Sequence, residues 1–289
     1  MCSSDLVSIQ HALIASDRLF EIMDIDQEKE NKIVLTKEMI GDITFQNLAF
    51  RYGTRVDVFN DFNLTLKKGQ ITAIIGESGC GKSTLIHLLQ NIYPIASGKI
   101  YIGSVDITQV ENNSLRKIVG VVPQKVELFK GTIVENICLG DLDPDMNNVL
   151  QICQDVGLKQ LIESLPEGLF TDVGENGALL SGGQKQKIAL ARVFYRKPEI
   201  VILDEATSSL DSNSEEQIFS AIYNLKNQGK TVIMIAHRLS TVQFADSIVV
   251  MSNGKVIESG THNQLYSANT IYRNMWLKQM PPLKIGRAS

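Results

Sequence analysis

Apolar positions in the first part of the chain recur at three- and four-residue steps. Over residues 5–25 this spacing predicts one amphipathic helix, because positions three and four apart share a helical face. A charged stretch with few apolar residues, 26–32, follows and predicts a linker. Two interpretations of the helix stay open: it packs on the domain that follows, or it is the end of a longer helix that arrives from elsewhere.

Beyond residue 43 the apolar period shortens to two, which is typical of strands. The residues that follow this alternation are Ile43, Phe45, Leu64 and Leu66. A turn is predicted before the next apolar run by Lys68-Gly69. This part of the chain is therefore predicted to be mainly β-structure.

Continuous apolar runs, each followed by a helical pattern, occur at three later places: residues 71–75, 200–203 and 232–236. Such runs favour parallel strands buried on both faces, and hence an α/β fold. A further strand at 247–251 is followed by Asn253-Gly254, a hairpin turn signal. Between residues 126 and 177 the pattern is mostly helical, which predicts a helical subdomain inserted into the sheet.

Composition narrows the class of protein. The length of 289 residues suits one large domain or two small ones with a buried core. The net charge of −4 and the pI near 5.7 give no electrostatic footprint for nucleic acid, so we expect no nucleic-acid partner. The cysteines lack CxxC spacing, which favours reduced thiols in a cytosolic protein. No apolar run approaches bilayer length and no secretory signal is present, so we expect this chain by itself to be soluble.

Residues 76–83 fit the phosphate-loop pattern G-x-x-x-x-G-K-[ST] between a predicted strand and a predicted helix. The glycines let successive backbone N–H groups turn towards one anion, and the helix N-terminus adds partial positive charge. Lys82 is predicted to reach the terminal phosphates, as a catalytic residue, and Ser83 to bind Mg²⁺. The residues predicted to hold the nucleotide here are Gly76, Glu77, Ser78, Gly79, Cys80, Gly81, Lys82, Ser83 and Thr84.

An acidic pair, Asp204 and Glu205, follows the apolar run at 200–203. Ligands of α/β sheets bind at the carboxyl ends of the parallel strands, where these carboxylates are expected. Asp204 is predicted to hold Mg²⁺ through water, and Glu205 to polarise the attacking water. His237 follows the next predicted strand and is a candidate contact for the γ-phosphate.

Residues 180–184 read LSGGQ. A serine with a glutamine three residues later predicts a capping box that opens a helix. The amides of the two glycines at that helix N-terminus also form a phosphate site. Because the phosphate loop already serves the chain's own nucleotide, we predict that this second site binds the nucleotide of another copy. The predicted contacts are Leu180, Ser181, Gly182, Gly183 and Gln184.

With these motifs in this order, residues 40–277 resemble the nucleotide-binding domain of an ABC transporter. The resemblance implies a P-loop NTPase fold with a mostly parallel core sheet, an antiparallel β subdomain, an inserted helical subdomain at about 126–190 and an N-terminal leader helix. It divides the chain into a leader helix and linker, 1–38, an ABC ATP-binding domain, 39–277, and a tail, 278–289.

The same resemblance assigns further residues. Tyr52 matches the aromatic residue that stacks on adenine, and Gln124 the Q-loop glutamine that contacts Mg²⁺ and the water as part of catalysis. Asp211 matches the D-loop across a dimer interface, and His237 the catalytic switch histidine. ATP and Mg²⁺ are the implied cofactors. The implied metal ligands are Ser83, Gln124 and Asp204.

Finer features resemble exporters. Residues 128–137 are similar to the stretch after the Q-loop in exporter half-transporters, and 171–177 to the loop that touches their intracellular loops. Asn176 stands where a basic residue is usual in that loop. The leader helix, around residues 18–22, looks like the end of a last transmembrane helix. The closest overall likeness is to bacteriocin- or peptide-exporting members.

Together these features predict an ATP-hydrolysing motor domain of an ABC exporter, with a peptide or bacteriocin as the expected cargo. The expected partners are a second ABC domain, in a homodimer or heterodimer, and a transmembrane domain of the same transporter. ATP binding would close the dimer and hydrolysis would reopen it. The expected location is the cytoplasmic face of the inner membrane, where the transmembrane domain holds the chain.

Two other functions remain as alternatives. A soluble ABC ATPase that acts on nucleic acid or ribosomes is disfavoured, because the stretch between the phosphate loop and LSGGQ shows no sustained heptads and the chain is acidic. An ATPase subunit of an ABC importer is disfavoured by the leader helix and by the loop at 171–177.

Overall fold

A computed structural model describes residues 2–24, 33–206, 212–236, 238–268 and 271–279. The chain divides into two compact units, Met1–Asn31 and Lys32–Ser289. Two of the predicted site residues, Asp211 and His237, lie outside the described residues. Their assigned roles therefore stay predictions.

Of the first unit the structure describes residues 2–24, which contain one helix, α1, Cys2–Met23. The predicted helix is thus confirmed, although it begins and ends slightly earlier than residues 5–25. On the predicted apolar face of this helix several side chains are more than half exposed, among them Leu13 at 58%, Phe20 at 54% and Met23 at 67%. No helix in the described part of the chain is both long and apolar enough to cross a bilayer.

Six strands form the central sheet of the second unit, in the order β10-β9-β3-β8-β7-β6. Neighbouring strands run parallel, except that β9 pairs antiparallel with β10 in the predicted hairpin. The bounds are β3 Ile71–Gly76, β6 Val119–Val122, β7 Ile200–Asp204, β8 Thr231–Ile235, β9 Ser247–Ser252 and β10 Lys255–Gly260. The predicted α/β class with a mostly parallel core sheet is confirmed.

The inner strands are continuous apolar runs because both faces of this sheet are buried. Along β3, Ile71, Ala73 and Ile75 belong to one hydrophobic core and Ile74 to the other. A strand alternates its side chains between the two faces, so both sets are mostly apolar here, with Thr72 as a buried polar exception in β3. The parallel register brings the carboxyl ends of β3, β7 and β8 to one edge, where the predicted site residues follow.

The antiparallel subdomain is a second sheet of four strands in the order β2-β1-β4-β5. Its bounds are β1 Ile43–Phe50, β2 Phe59–Leu66, β4 Ser97–Ile102 and β5 Val105–Asp106. The two-residue alternation of β1 buries Ile43 and Phe45 almost completely, in the same core that holds Ile74 of β3. The two sheets therefore share one hydrophobic core.

Helices occupy the predicted insertion between β6 and β7. They are α4 Ile133–Ile137, α5 Met146–Asp155, α6 Lys159–Ser164 and α7 Gly182–Arg196, so the last one extends beyond residue 190. The other α-helices in the described part of the second unit are α2 Lys82–Leu89, α3 Asn112–Ile118, α8 Ser212–Asn227, α9 Leu239–Val242, α10 His262–Ser267 and α11 Ile271–Gln279.

Asn136 of α4 connects the loop that precedes α4 to α7 through hydrogen bonds. Its side chain is 1% exposed; Oδ1 accepts from the backbone N–H of Phe129 at 2.8 Å, and Nδ2 donates to the oxygen of the same residue at 2.8 Å. Arg192 of α7 donates through Nε to the backbone oxygen of Asn136 at 2.8 Å and through Nη2 to Oδ1 at 3.2 Å. Burial lowers the pKa of Arg192, so these oxygens stabilise a partly buried charge.

We expect Asn136→Leu to lower the free energy of unfolding by about 3 kcal/mol. The leucine has the same branched shape, but it leaves the backbone N–H of Phe129 and part of a partly buried guanidinium without these hydrogen-bond acceptors. Urea denaturation measures the change. Asn147→Leu, at an exposed position of α5, is the matched control and should change the free energy of unfolding by less than about 0.5 kcal/mol. Equal stabilities of the two variants would contradict this role of Asn136.

Candidate functional site

The loop between β3 and α2 has a backbone that requires glycine. Gly76, Gly79 and Gly81 have φ angles of 154°, 82° and 107°, which side chains of L-residues disfavour. At Gly81 a Cβ atom would also lie 2.8 Å from the ring of Phe59. The predicted phosphate loop thus has a glycine-dependent backbone, which is the kind of backbone that lets successive N–H groups turn towards an anion.

Lys82 places its ammonium inside this loop. The side chain is almost fully buried, and Nζ donates to the backbone oxygens of Gly76 at 2.8 Å and Glu77 at 2.9 Å. These contacts compensate the cost of burying the charge. A triphosphate cradled by the loop would therefore meet a cation that is already in place.

The hairpin of β9 and β10 supports the phosphate loop from the side. Gly254, in the hairpin turn, donates its backbone N–H to the oxygen of Cys80 at 3.3 Å. A Cβ atom at Gly254 would lie 2.0 Å from the backbone oxygen of Val58, so only glycine fits between the two segments. The turn itself was predicted from Asn253-Gly254. Its contacts with Val58 and Cys80 were not predicted, because they join segments that lie far apart in the sequence.

A cleft of about 550 Å³ opens at the edge of the central sheet, a size typical of small-molecule sites. It is lined by Tyr52, Val58, Ser78, Gly79, Gly81, Lys82, Ser83, Thr84, Gln124 and Glu205. All of these except Val58 were predicted from the sequence to contact nucleotide, metal or the attacking water. The fold thus brings together residues from separate predicted motifs.

Glu205 lies at the end of β7 in an unusual backbone conformation. Its φ angle of 52° is in the left-handed region, which is sparsely populated by residues other than glycine and is found at functional sites. Its backbone N–H donates to the oxygen of Ile235 in β8 at 3.0 Å, and its backbone oxygen accepts from Nε2 of Gln186 in α7 at 3.3 Å. Neighbouring elements hold the strained turn on both sides. The contact from Gln186 was not predicted.

The side chains of Glu205 and Gln124 meet directly, since Nε2 of Gln124 donates to Oε2 of Glu205 at 2.6 Å. This hydrogen bond joins the segment after β6 to the end of β7. It aims the amide and the carboxylate at the same cleft. The two groups predicted to contact the attacking water therefore lie within hydrogen-bond distance of each other.

The donor atoms near this cleft fit Mg²⁺. The hydroxyl of Ser83, the amide oxygen of Gln124 and the carboxylate of Asp204 are oxygen donors, which Mg²⁺ prefers. Asp204 lies behind the lining of the cleft: its Oδ1 is buried, and the residue is not one of those that line the cleft. In the described part of the chain, no group of three His, Cys, Asp or Glu residues could hold a metal by itself. This composition suits an ion that is held largely by phosphates and water, as Mg²⁺ usually is.

The signature segment opens α7 as predicted. Oγ of Ser181 accepts from the backbone N–H of Gln184 at 3.3 Å, and Oε1 of Gln184 accepts from the backbone N–H of Ser181 at 2.8 Å. The capping box is confirmed. Ser181 and Gly182 are exposed, and of the described residues none from 180–184 lines the cleft described above. The structure therefore gathers the phosphate loop, Tyr52, Gln124 and Glu205, and presents the signature elsewhere on the surface.

The second exporter-like loop, 171–177, has a defined conformation. Oδ1 of Asp172 accepts from the backbone N–H of Gly174 at 2.6 Å, and Lys185 of α7 donates to the backbone oxygen of Asn176 at 2.8 Å. Asn176 has a φ angle of 52°. Asparagine is one of the few residues that adopts this conformation readily, which is a local reason for its presence.

Comparison with known proteins identifies the family. Residues 59–208 match the family model described as ABC transporter. The chain is 38% identical over 275 residues to "Iron-sulfur clusters transporter ATM1, mitochondrial" of Chaetomium globosum, covering 94% of this chain and 46% of that protein. It is 40% identical over 270 residues to "ATP-dependent lipid A-core flippase" of Albidiferax ferrireducens, covering 93% of this chain and 46% of that protein.

A solved structure, "Structure of a bacterial Atm1-family ABC exporter with ATP bound", superposes with a TM-score of 0.88 at 34% identity. The match covers 95% of this chain and 48% of that chain. The chain thus spans less than half the length of these similar proteins. Since the family model matches more than half of the chain and the fold agrees with that of an ABC exporter, this chain belongs to the ABC transporter family and contains its ATP-binding domain.

Proposed function

We propose that this chain is the ATP-hydrolysing motor of an ABC exporter and that it works in pairs with a second ABC domain. The observation that carries the proposal is the cleft in which Tyr52, the phosphate loop, Gln124 and Glu205 converge, while the capped signature lies outside it. One chain thus has the groups to bind ATP and to aim a water. It lacks, in that cleft, the second phosphate site that LSGGQ offers.

ATP binds to groups of a single chain that line this cleft. Tyr52 stacks on adenine, the amides of the phosphate loop surround the phosphates, and Lys82 pairs with the terminal ones. When Mg²⁺ is bound, with Ser83, Gln124 and Asp204 as its proposed protein ligands, it neutralises charge on the phosphates.

Hydrolysis depends on Glu205. Its carboxylate accepts a hydrogen bond from the attacking water and holds it in line with the terminal phosphorus. The amide of Gln124 stands 2.6 Å from that carboxylate and orients it. His237 is proposed to contact the γ-phosphate and to complete this arrangement.

A second chain completes the site. Its Ser181 and the amides of Gly182 and Gly183 form a helix N-terminus that binds the terminal phosphate of the first chain's ATP. We assign Leu180, Gln184 and Asp211 to the same interface. Because both chains contribute, two ATP molecules bind together with closure of the dimer, which favours the closed state until hydrolysis removes the γ-phosphate.

The dimer would drive a transmembrane domain from the cytoplasmic face of the membrane. One relative is named a transporter of iron–sulfur clusters and the other a flippase of lipid A-core, and the similar solved structure is named an ABC exporter, so the names agree on transport and differ in cargo. A peptide or bacteriocin cargo is proposed only on the overall likeness of the chain to bacteriocin- or peptide-exporting members, whereas residues 128–137 and 171–177 and the leader helix support export in general.

Dilution tests the composite site. We expect the rate of ATP hydrolysis per chain to fall as the purified chain is diluted, because each active site needs two chains, whereas the dissociation constant of ATP for the separate chain stays constant. A coupled phosphate-release assay measures the first quantity and titration calorimetry the second. A rate per chain that is independent of concentration, together with a monomer in light scattering, would mean that one chain hydrolyses ATP alone.

A further inference from the structure

Tyr93 lies in the short connection between α2 and β4, outside every motif that the sequence analysis recognised. The turn before it is firmly held: the backbone N–H of Ile92 donates to the oxygen of His87 at 3.0 Å, and Nδ2 of Asn91 donates to Oδ1 of Asn112 at 3.0 Å. The position of Tyr93 is therefore fixed by α2, the helix that begins in the phosphate loop, and by α3.

The ring of Tyr93 meets the ring of Tyr52 edge to face, with centroids 5.1 Å apart and planes at 88°. Phe50 of β1 meets Tyr52 in the same manner at 4.8 Å and 86°. Phe50 and Tyr93 are themselves 6.0 Å apart, so the three rings contact one another pairwise. These distances and angles are those at which aromatic pairs attract beyond simple burial.

Tyr52 needs such support, because it stands beyond the end of β1 at Phe50, in a segment of mostly exposed residues, 51–57. Its backbone belongs to a turn, in which its oxygen accepts from the N–H of Arg55 at 3.0 Å, and not to a strand ladder. Its hydroxyl donates to Oγ1 of Thr84 at 3.2 Å, which anchors one end of the ring. The two aromatic neighbours hold the body of the ring, while Tyr52 still lines the cleft.

We propose that Tyr93 is a positioning residue for the nucleobase: it holds the ring of Tyr52 in the orientation that stacks on adenine. This inference rests on the proposed role of Tyr52. A ring that is held before binding loses no rotamer freedom when the base arrives, so the stacking contact contributes more of its energy to affinity. Tyr93 itself is 38% exposed, more than a ring that serves the core alone requires.

The alternative is that Tyr93 only fills space between α2 and the antiparallel sheet. In that case its loss would disturb the phosphate loop, and any ligand of that loop would bind more weakly. Inorganic triphosphate separates the two roles, since it carries the phosphates of ATP and has no base. A positioning role affects ATP alone, whereas a structural role affects both ligands.

The test measures binding of ATP–Mg²⁺ and of inorganic triphosphate–Mg²⁺ to the 289-residue chain by titration calorimetry. We expect Tyr93→Ala to weaken ATP binding about fivefold and Tyr52→Ala to weaken it at least tenfold, in line with roughly 1 kcal/mol for an aromatic pair and more for a stacked base. Triphosphate affinity should not change. Tyr93→Phe should bind ATP like the wild type, and the double variant should bind no more weakly than Tyr52→Ala.

Tyr101→Ala, in β4 of the same subdomain, is the matched control and should leave both affinities unchanged. Weaker binding of ATP and triphosphate alike by Tyr93→Ala would overturn the positioning role. So would wild-type ATP affinity of Tyr93→Ala when Tyr52→Ala is impaired, and the assignment of Tyr52 would then stand. If Tyr52→Ala itself binds ATP normally, the base does not stack there, and the proposal for Tyr93 falls with that assignment.

Discussion

Glu205→Gln is expected to lower the rate of ATP hydrolysis at least about 100-fold while ATP binds as tightly as before. The variant keeps the shape of the side chain, and its amide oxygen can still accept from Nε2 of Gln124, which lies 2.6 Å from the carboxylate. What is lost is the negative charge that draws a proton from the attacking water. Because ATP then persists, the closed dimer should accumulate in the presence of ATP and Mg²⁺.

Light scattering with saturating ATP–Mg²⁺ measures this accumulation, and a phosphate-release assay measures the rate. Glu216→Gln, at an exposed position of α8, removes a similar charge away from the cleft and should leave both quantities at wild-type values. A Glu205→Gln chain that binds ATP and stays monomeric would argue against ATP-driven pairing of the separate chain. Unchanged hydrolysis would remove Glu205 from the mechanism.

The second large effect is expected from Ser181→Arg, which should lower turnover roughly 100-fold or more with little change in the affinity of the separate chain for ATP. Ser181 is exposed immediately before α7 and does not line the cleft that the phosphate loop lines. A long side chain there would keep the helix amides away from the phosphates of a partner. It would leave the chain's own phosphate loop untouched.

Ser181→Ala separates this effect from the loss of the cap. It removes the hydroxyl that accepts from Gln184 and should cost about 1 kcal/mol of stability, without adding bulk at the interface. Its turnover should therefore fall far less than that of Ser181→Arg. Calorimetry of ATP binding to the arginine variant decides the assignment, since a large loss of affinity in the monomer would place the signature in the chain's own site.

The parts of the fold that could be predicted are those with a local cause. The run at 71–75 predicted a strand buried on both faces, and its side chains do alternate between two cores. The spacing of Ser181 and Gln184 predicted the capping box, because both partners lie within one helical turn. Most of the cleft lining was predicted from the phosphate-loop pattern and from the acidic pair after β7, whereas Tyr52 and Gln124 were predicted only from the resemblance to a known family.

The rest depends on contacts between distant segments. Strand β6, Val119–Val122, was not predicted, because its four residues are too short for a period to stand out. The approach of Gly254 to Val58 and the support of Glu205 by Gln186 join segments that only the folded sheet brings together. The contacts of Tyr93 were not predicted for the same reason, since its aromatic neighbours are Phe50 of β1, Tyr52 just beyond β1 and His87 of α2.

Strand β3 contributes alternate side chains to two hydrophobic cores and ends in the phosphate loop. Neither core can lose its order without withdrawing contacts from this one strand, so the two sheets are coupled in unfolding. Nucleotide held at the end of β3 therefore stabilises both of them against denaturation, since a ligand that binds the native state lowers its free energy as a whole.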